Sequence, residues 1–97
     1  MQFACKIYKG EEILLAVCDK DLLGKKLKYN NFIFEIKESF YFDKFVDENE
    51  IKSLLKEATI INLVGNNIAK LAEKLKYIQK KDIIIIEGIA HVQIYKI

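Results

Sequence analysis

The sequence predicts an α+β domain in which a mainly antiparallel sheet of about five to six strands carries two main helices packed on one face. Alternating apolar residues near both ends of the chain indicate strands, and two stretches between residues 47 and 75 have the apolar spacing of amphipathic helices. The predicted order of elements is ββ(short α)ββααββ. The 97 residues show no break in composition, so we predict a single compact domain over residues 1–97.

Two hairpins and a short helical turn are predicted for the first part of the chain. Residues 2–9 and 11–18 alternate apolar and polar side chains on either side of Gly10, which indicates the first hairpin. Asp19 is the predicted N-cap of one helical turn that ends at Gly24. The second hairpin has strands at 26–29 and 32–37, joined by a tight turn at the dipeptide Asn30-Asn31.

The two main helices are predicted after an aromatic segment, residues 38–46, whose structure the pattern leaves open. Asp47 and Glu50 form a capping-box-like pair at the start of the first helix. Its apolar face consists of Ile51, Leu54, Leu55 and Ala58. The second helix carries Ile68, Leu71, Ala72 and Leu75 at the same kind of spacing.

Two strands are predicted at the end of the chain, joined by a turn near Gly88. The all-isoleucine run at 83–86 indicates a central strand that is covered on both faces, or on one face and by a partner subunit. The last strand is predicted at 90–97. Because the first and last strands are each apolar on one face, we expect them to be neighbours in the sheet.

The segment 58–72, ATIINLVGNNIAKLA, has two interpretations that differ in function. A strand, a phosphate-binding loop and a helix would need several glycines, and the segment contains only Gly65. We favour a joint between two helices, because Ile61 continues the apolar stripe of Leu54 and Ala58. Gly65 would then end the first helix in a left-handed conformation, and the start of the second helix would be a weak anion site.

His91 is the only histidine, which excludes a metal site built from several histidines. In the predicted last strand His91, Gln93 and Tyr95 point to one face, and Val92 and Ile94 point to the other. The first set either lines a site or forms a solvated face of the sheet.

Motifs for catalysis, metal binding and cofactor binding are missing from the sequence. Ser39 lies beside Tyr41 but outside a GxSxG elbow, and Cys5 and Cys18 lack zinc or redox spacing. We therefore predict no metal and no cofactor, and we interpret both cysteines as small buried side chains. Acid–base chemistry by carboxylates stays open, because acidic residues are spread throughout the chain.

A basic and aromatic stripe is predicted on the second helix, at positions i, i+4, i+7 and i+11: Lys70, Lys74, Tyr77 and Lys81. Lysines beside an aromatic ring suit an RNA surface, and the same pattern is also typical of a solvated helix face. All 16 basic residues are lysines, so anion contacts would depend on point charges rather than guanidinium forks. A second lysine cluster lies beside the hairpin turn: Lys25, Lys26 and Lys28. This second cluster either extends the stripe or faces away from it.

Charge and hydropathy argue against two possibilities, which are nucleic-acid binding by overall charge and insertion into a membrane. A net charge of +2 is too small to indicate nucleic-acid binding by the protein as a whole, which leaves only a local patch for that function. No apolar run approaches the roughly 18 residues of a membrane span, and the start of the chain lacks the apolar core of a signal peptide. We expect a cytoplasmic protein that does not contact membranes.

Several stretches stand out together along the chain: KIYKG followed by CDKDLLGK, then ESFY, EATIINLVG and HVQIYKI. In this order they resemble, over essentially the full length, a family of small archaeal proteins catalogued as domain of unknown function 424. The resemblance implies an archaeal cytosolic protein with a compact α+β fold. It also implies six candidates for a shared site, which we call the signature residues: Ser39, Tyr41, Asn62, Gly65, His91 and Gln93.

Three classes of function follow from these patterns. The leading hypothesis is a non-enzymatic binding module that contacts RNA or a ribonucleoprotein, such as the translation machinery, through the lysines and the last strand. The second is a protein–protein module or homodimer that uses the aromatic segment or an exposed sheet edge. The third is an enzyme with a pocket near Ser39, Tyr41 and His91. Whether the lysines and the signature residues share one face distinguishes these hypotheses.

Overall fold

The structure, a computed structural model, describes residues 2–96, so Met1 and the predicted strand end at Ile97 lie outside the described residues. Short 3-10 turns occur at Lys20–Leu22 and Lys80–Asp82. The strands and α-helices are β1 (Phe3–Lys9), β2 (Ile13–Asp19), β3 (Lys26–Tyr29), β4 (Phe32–Glu35), α1 (Glu38–Tyr41), β5 (Lys44–Val46), α2 (Glu48–Glu57), β6 (Ile60–Val64), α3 (Asn66–Lys74), β7 (Ile84–Ile86) and β8 (Ile89–Tyr95).

The main sheet has six strands in the order β5-β1-β2-β6-β8-β7, and β3 and β4 form a separate antiparallel hairpin. Four pairings within the main sheet are antiparallel, and the central pairing of β2 with β6 is parallel. The predicted α+β class, with a mainly antiparallel sheet, is therefore confirmed.

Two crossover connections position the main helices. Tracing the pairings shows that β5, β2, β6 and β7 all run in the same direction. The helix α2 connects β5 to β6, and α3 connects β6 to β7. Each helix returns antiparallel to these strands, so α2 and α3 run parallel to each other.

The sheet is covered on both faces, because successive side chains of each strand point to opposite sides. On the helix face, Leu15, Leu63 and Val92 belong to a buried cluster with apolar residues of α2 and α3. On the hairpin face, Ala16 and Val64 belong to a second cluster with residues of the β3–β4 hairpin and of α1. The two main helices do pack on one face, as predicted.

Both cysteines are buried and free, as predicted, and they lie on opposite faces of the sheet. Burial raises the pKa of Cys18 to about 12, and the neighbouring Asp19 carboxylate acts in the same direction. Burial also raises the pKa of Cys5. Both thiols are therefore protonated and shielded at neutral pH.

The predicted joint between two helices is wrong, because residues 60–64 form the central strand β6. The helix α2 ends at Glu57, and Ala58 has extended backbone angles (φ −72°, ψ 147°). In β6, Ile61 and Leu63 point to the helix face and Val64 points to the hairpin face. A strand that is buried on both faces is apolar at nearly every position, so the sequence also matched the stripe of a helix.

Gly65 lies between β6 and α3 rather than at the end of a helix. Its φ of 131° is one that side-chain-bearing residues rarely adopt. A Cβ atom at this position would lie 2.3 Å from Cγ of Asp19, which makes glycine necessary for a second reason. The sequence predicted that Asp19 caps the 3-10 turn that follows it, and this prediction is wrong. The Asp19 carboxylate instead extends to the start of α3.

Three smaller predictions about the strands and helices also differ from the structure. The isoleucine strand β7 is at an edge of the sheet rather than at its centre, and β1 is separated from β8 by β2 and β6. The second helix ends at Lys74, because Lys76 adopts a positive φ of 67°. Sequence spacing does not report strand order, which depends on contacts between distant segments.

Turn and cap predictions are confirmed at several positions. Asn30 has a φ of 55° in the turn of the β3–β4 hairpin, and Gly24 has a φ of 82° after the first 3-10 turn. The side chain of Asp47 accepts a hydrogen bond from the Glu50 N–H at the start of α2. These features depend on neighbouring residues only, which is why the sequence predicts them well.

We predict that Gly65→Ala destabilises the protein much more than Gly88→Ala does. Both glycines have positive φ, but an added Cβ at Gly88 would meet no atom within 4 Å. Gly88→Ala should cost about 1 kcal/mol, and Gly65→Ala about 3 kcal/mol, because the second also displaces Asp19. Urea denaturation measures both free energies of unfolding. Equal losses would show that the contact with Asp19 is unimportant.

Candidate functional site

The start of α3 is an anion site that the protein fills with its own carboxylate. Asp19, at the end of β2, is 6% exposed and accepts hydrogen bonds from the N–H groups of Asn67 and Ile68, each at 2.9 Å. Burial raises the pKa of Asp19, and the two N–H donors oppose that rise. Because these N–H groups are already paired, the helix terminus does not offer them to a phosphate.

A partly buried polar pair on the hairpin face connects two of the signature residues. The hydroxyl of Tyr41 donates a 2.6 Å hydrogen bond to the side-chain carbonyl oxygen of Asn62. Tyr41 is 3% exposed, and burial raises the pKa of its hydroxyl. Gln93 lies opposite Asn62 in the β6–β8 pairing and is exposed, so its amide borders this pair.

His91 lies two positions along β8 on the same face, and its contacts are internal. Its Nδ1 atom lies 3.0 Å from the carbonyl oxygen of Leu63, and the centroid of its ring lies 5.0 Å from the ring centroid of Phe34. Burial lowers the pKa of His91 from its ordinary value of 6.5, and the Leu63 carbonyl opposes that change. The neutral imidazole therefore donates from Nδ1 to this carbonyl and is covered by the hairpin.

The other two signature residues lie apart from this cluster. Ser39 is exposed on α1, and its backbone carbonyl accepts hydrogen bonds from the Lys6 ammonium and the Tyr8 hydroxyl. Gly65 lies at the end of β6 against Asp19. The structure thus groups Tyr41, Asn62, His91 and Gln93 on one face, where the Tyr41 hydroxyl and the His91 Nδ1 atom are paired within the protein.

The predicted lysine stripe is not continuous, because its four residues do not share one helix. Lys70 and Lys74 belong to α3, whereas Tyr77 follows the helix and Lys81 lies in the second 3-10 turn. Tyr77 is partly buried against the core of the helix face, and the Lys96 ammonium lies 5.2 Å from its ring centroid. The stripe predicted from spacing therefore ends after Lys74.

The lysines of α3 lie on the opposite face of the sheet from Tyr41, Asn62, His91 and Gln93, which we call the signature cluster. The helix α3 covers the helix face, whereas Tyr41 and its neighbours lie on the hairpin face. Lys26 and Lys28 are on β3, so the hairpin lysines face away from α3 as well. One site cannot contain both the lysines of α3 and the signature cluster. The RNA-binding hypothesis, which combined the lysines with the last strand, therefore divides into two separate surfaces.

The helix face instead contains two lysine-lined depressions between the parallel helices α2 and α3, which together we call the α2–α3 groove. Its first depression, about 210 Å³, is lined by Glu48, Asn67, Lys70, Leu71 and Lys74. Its second, about 270 Å³, is lined by Lys52, Lys56, Leu75 and Tyr77. The lysines of the first depression belong to α3 and those of the second belong to α2, and the apolar lining comes from α3 and the residues that follow it.

The sequence analysis missed Lys52 and Lys56 as site residues. They follow Glu48 at intervals of four residues, so all three share one side of α2. That spacing was visible in the sequence. What it could not show is that this side of α2 borders α3, because the relative placement of the helices depends on the strand order.

A family model described as "Protein of unknown function (DUF424)" matches residues 7–97. The chain belongs to the DUF424 family. The family resemblance of the signature stretches is thereby confirmed. The crystal structure of an uncharacterized conserved protein from Methanopyrus kandleri is similar to this DUF424 member, with 28% identity and a TM-score of 0.82, over 98% of this chain and 91% of that one. No curated protein matches the chain.

The side chains and helices of the DUF424 fold also bear on metal and membrane binding. Within residues 2–96, no group of three or more histidine, cysteine, aspartate or glutamate side chains is placed to hold a metal ion. None of the described helices has the length and apolar character needed to cross a membrane.

We predict that burial of His91 makes folding stability depend on pH. The unfolded chain takes up a proton on His91 near pH 6.5, whereas the folded protein does so only at lower pH. The free energy of unfolding should therefore fall as pH drops from 6.5 toward the lowered pKa. In His91→Gln, whose amide also donates to the Leu63 carbonyl, this component should disappear. Urea denaturation between pH 8 and about 5 compares the two proteins, and identical pH profiles would contradict the prediction.

We also predict that Asp19→Ala costs more stability than Asp47→Ala. Asp19 is buried and accepts from two N–H groups of α3, whereas Asp47 is exposed and accepts from one N–H group of α2. Losing the buried acceptor should cost on the order of 2–3 kcal/mol, and losing the exposed cap about 1 kcal/mol. Thermal and urea denaturation measure both losses, and a reversed order would argue against Asp19 as the main cap.

Proposed function

We propose that this DUF424 protein is a non-enzymatic module that binds RNA or a ribonucleoprotein through the α2–α3 groove. The observation that carries the proposal is that each of the two helices that line the α2–α3 groove contributes a pair of lysines. Lys52 and Lys56 form one wall, and Lys70 and Lys74 form the other. This arrangement supports binding of an anionic strand more strongly than a single solvated row of lysines does.

The spacing of the lysines suits a chain of phosphates rather than one small anion. Lysines four residues apart on a helix are separated by about 6 Å along its axis, so each wall presents two charges in succession. The protein contains no arginine, so each contact is that of a flexible ammonium group with a phosphate oxygen. Such contacts support affinity without specifying sequence.

The apolar lining and the ends of the groove support the same function. Leu71 and Leu75 line the groove beside the lysines, and Tyr77 lies at one end. An apolar lining with a neighbouring aromatic ring suits unstacked bases, which is why we favour a single strand over a duplex. Glu48 lies at the opposite end and limits the positively charged stretch.

The signature cluster supports a structural role better than catalysis. The Tyr41 hydroxyl and the His91 ring are engaged with Asn62 and Leu63, and Ser39 lies on a separate surface helix. Nucleophilic catalysis needs a hydroxyl or thiol within hydrogen-bond reach of a base. The contacts of these residues hold α1 and the hairpin against the sheet instead.

We predict that RNA affinity depends on groove lysines rather than on net charge. Lys52→Glu/Lys74→Glu changes one residue on each wall, and Lys26→Glu/Lys28→Glu makes the same change of charge on the opposite face of the molecule. Fluorescence anisotropy with single-stranded oligonucleotides and a ribosomal RNA fragment should show at least about tenfold weaker binding for the groove variant only. Circular dichroism checks that both variants fold.

The salt dependence provides an independent measurement. With each of the four groove lysines neutralising one phosphate, the slope of log affinity against log salt should be near −3 for a single strand, at about −0.7 per contact. The groove variant should have a shallower slope, and the hairpin variant should keep the slope of the original protein. Undetectable binding at low salt, or equal losses in the two variants, would contradict the proposal.

A further inference from the structure

The two edges of the main sheet are protected to very different degrees. At the β5 edge Lys44 is exposed, and the Lys20 ammonium lies 4.8 Å from the centroid of the Phe45 ring. Lysines at an edge strand oppose pairing with another chain. The opposite edge, β7, consists of isoleucine alone, with Ile84 48% exposed and Ile85 58% exposed. This edge has no charged side chain within the strand to prevent pairing.

The backbone of β7 has polar groups that point outward, where an additional strand could pair with them. Glu87 and Gly88 both have positive φ, as in the two-residue turns that join antiparallel strands. In such a hairpin Ile86 and Ile84 direct their N–H and C=O groups toward β8, so those of Ile85 point outward. Ile84 and Ile85 expose apolar side chains on opposite faces of this edge, so a paired strand would cover both.

The charges beside β7 are complementary to those of a second copy of the same edge. Lys81 lies in the 3-10 turn before the strand, and Glu87 lies after the strand, where its carboxylate also accepts a hydrogen bond from the Lys28 N–H. An antiparallel pairing of two copies that is centred on Ile84 brings the end of β7 next to Lys81 beside the Glu87 end of the second copy. Two-fold symmetry brings these opposite charges together twice. A parallel pairing would place like charges together, so the sequence of this edge favours an antiparallel homodimer.

We propose that the β7 edge is a homodimer interface, in which two copies pair antiparallel and join their six-stranded sheets into one continuous sheet. The two-fold axis of such a dimer is perpendicular to the sheet, so both helix faces lie on the same side. The α2–α3 grooves of the two copies then face the same way. The proposal goes beyond RNA binding and does not depend on it, because the oligomeric state is measured without RNA.

Sedimentation velocity over a concentration series tests the interface. The original protein should sediment as a dimer. Ile85→Pro removes the outward N–H of β7 but no bond to β8, so it should yield a folded monomer. Ile85→Lys should do the same by placing a charge at the edge, and it serves as the second variant if proline disturbs folding. The control is Ile33→Lys, on β4, where the original residue is 59% exposed; this variant should stay dimeric.

Removal of the flanking charges tests the register. Lys81→Glu should weaken the dimer roughly tenfold, because it replaces two attractions by two repulsions. Glu87→Gln keeps the side-chain oxygen that accepts from the Lys28 N–H, so in the Glu87→Gln protein the further change Lys81→Glu should weaken the dimer much less. A protein that is monomeric at every concentration, a dimer that persists in Ile85→Pro and Ile85→Lys, or an equal effect of Lys81→Glu with and without Glu87→Gln would overturn the proposal.

Discussion

The contact between the Asp19 carboxylate and the first turn of α3 is the constraint on which the rest of the structure depends. It joins the end of β2 to the start of α3, and therefore aligns the parallel strands β2 and β6 at the centre of the sheet. The carboxylate occupies the space that a side chain at Gly65 would need, so the chain must turn there through glycine. A strand, a glycine and the start of a helix follow one another here, as they do in a phosphate-binding site. Because the Asp19 carboxylate fills the anion position, they form an internal joint instead.

The parallel pair also determines which surfaces are free for function. Parallel strands need crossover connections, and the two crossovers place α2 and α3 side by side on one face. The α2–α3 groove lies between them and is lined by two lysines from each helix. On the other face, the hairpin and α1 cover the polar cluster around Tyr41, whose hydroxyl is hydrogen-bonded to Asn62. The lysines that line the α2–α3 groove and the polar cluster around Tyr41 thus lie on opposite faces of the sheet.

The edges of the sheet add a second functional distinction. Lysines protect β5, whereas β7 presents unprotected isoleucines with opposite charges at its two ends. An exposed apolar edge strand is a liability for a soluble protein unless it is paired. Pairing through β7 would remove that liability and would present two α2–α3 grooves on one side. A long anionic strand would then contact both copies, which strengthens binding without new contacts within either copy.

The sequence by itself determined the local features of this protein: the α+β class, the two hairpins, the cap at Asp47, the burial of both cysteines and the membership of the DUF424 family. Each depends on neighbouring residues or on their order along the chain. It did not determine that residues 60–64 form a strand, because a strand buried on both faces has the same apolar run as part of a helix. Nor did it show that Lys52 and Lys56 lie across from α3, or that β7 is an edge. Only the tertiary structure decided these points, because strand order and helix placement depend on contacts such as that of Asp19 with Ile68, which lie 49 residues apart in the chain.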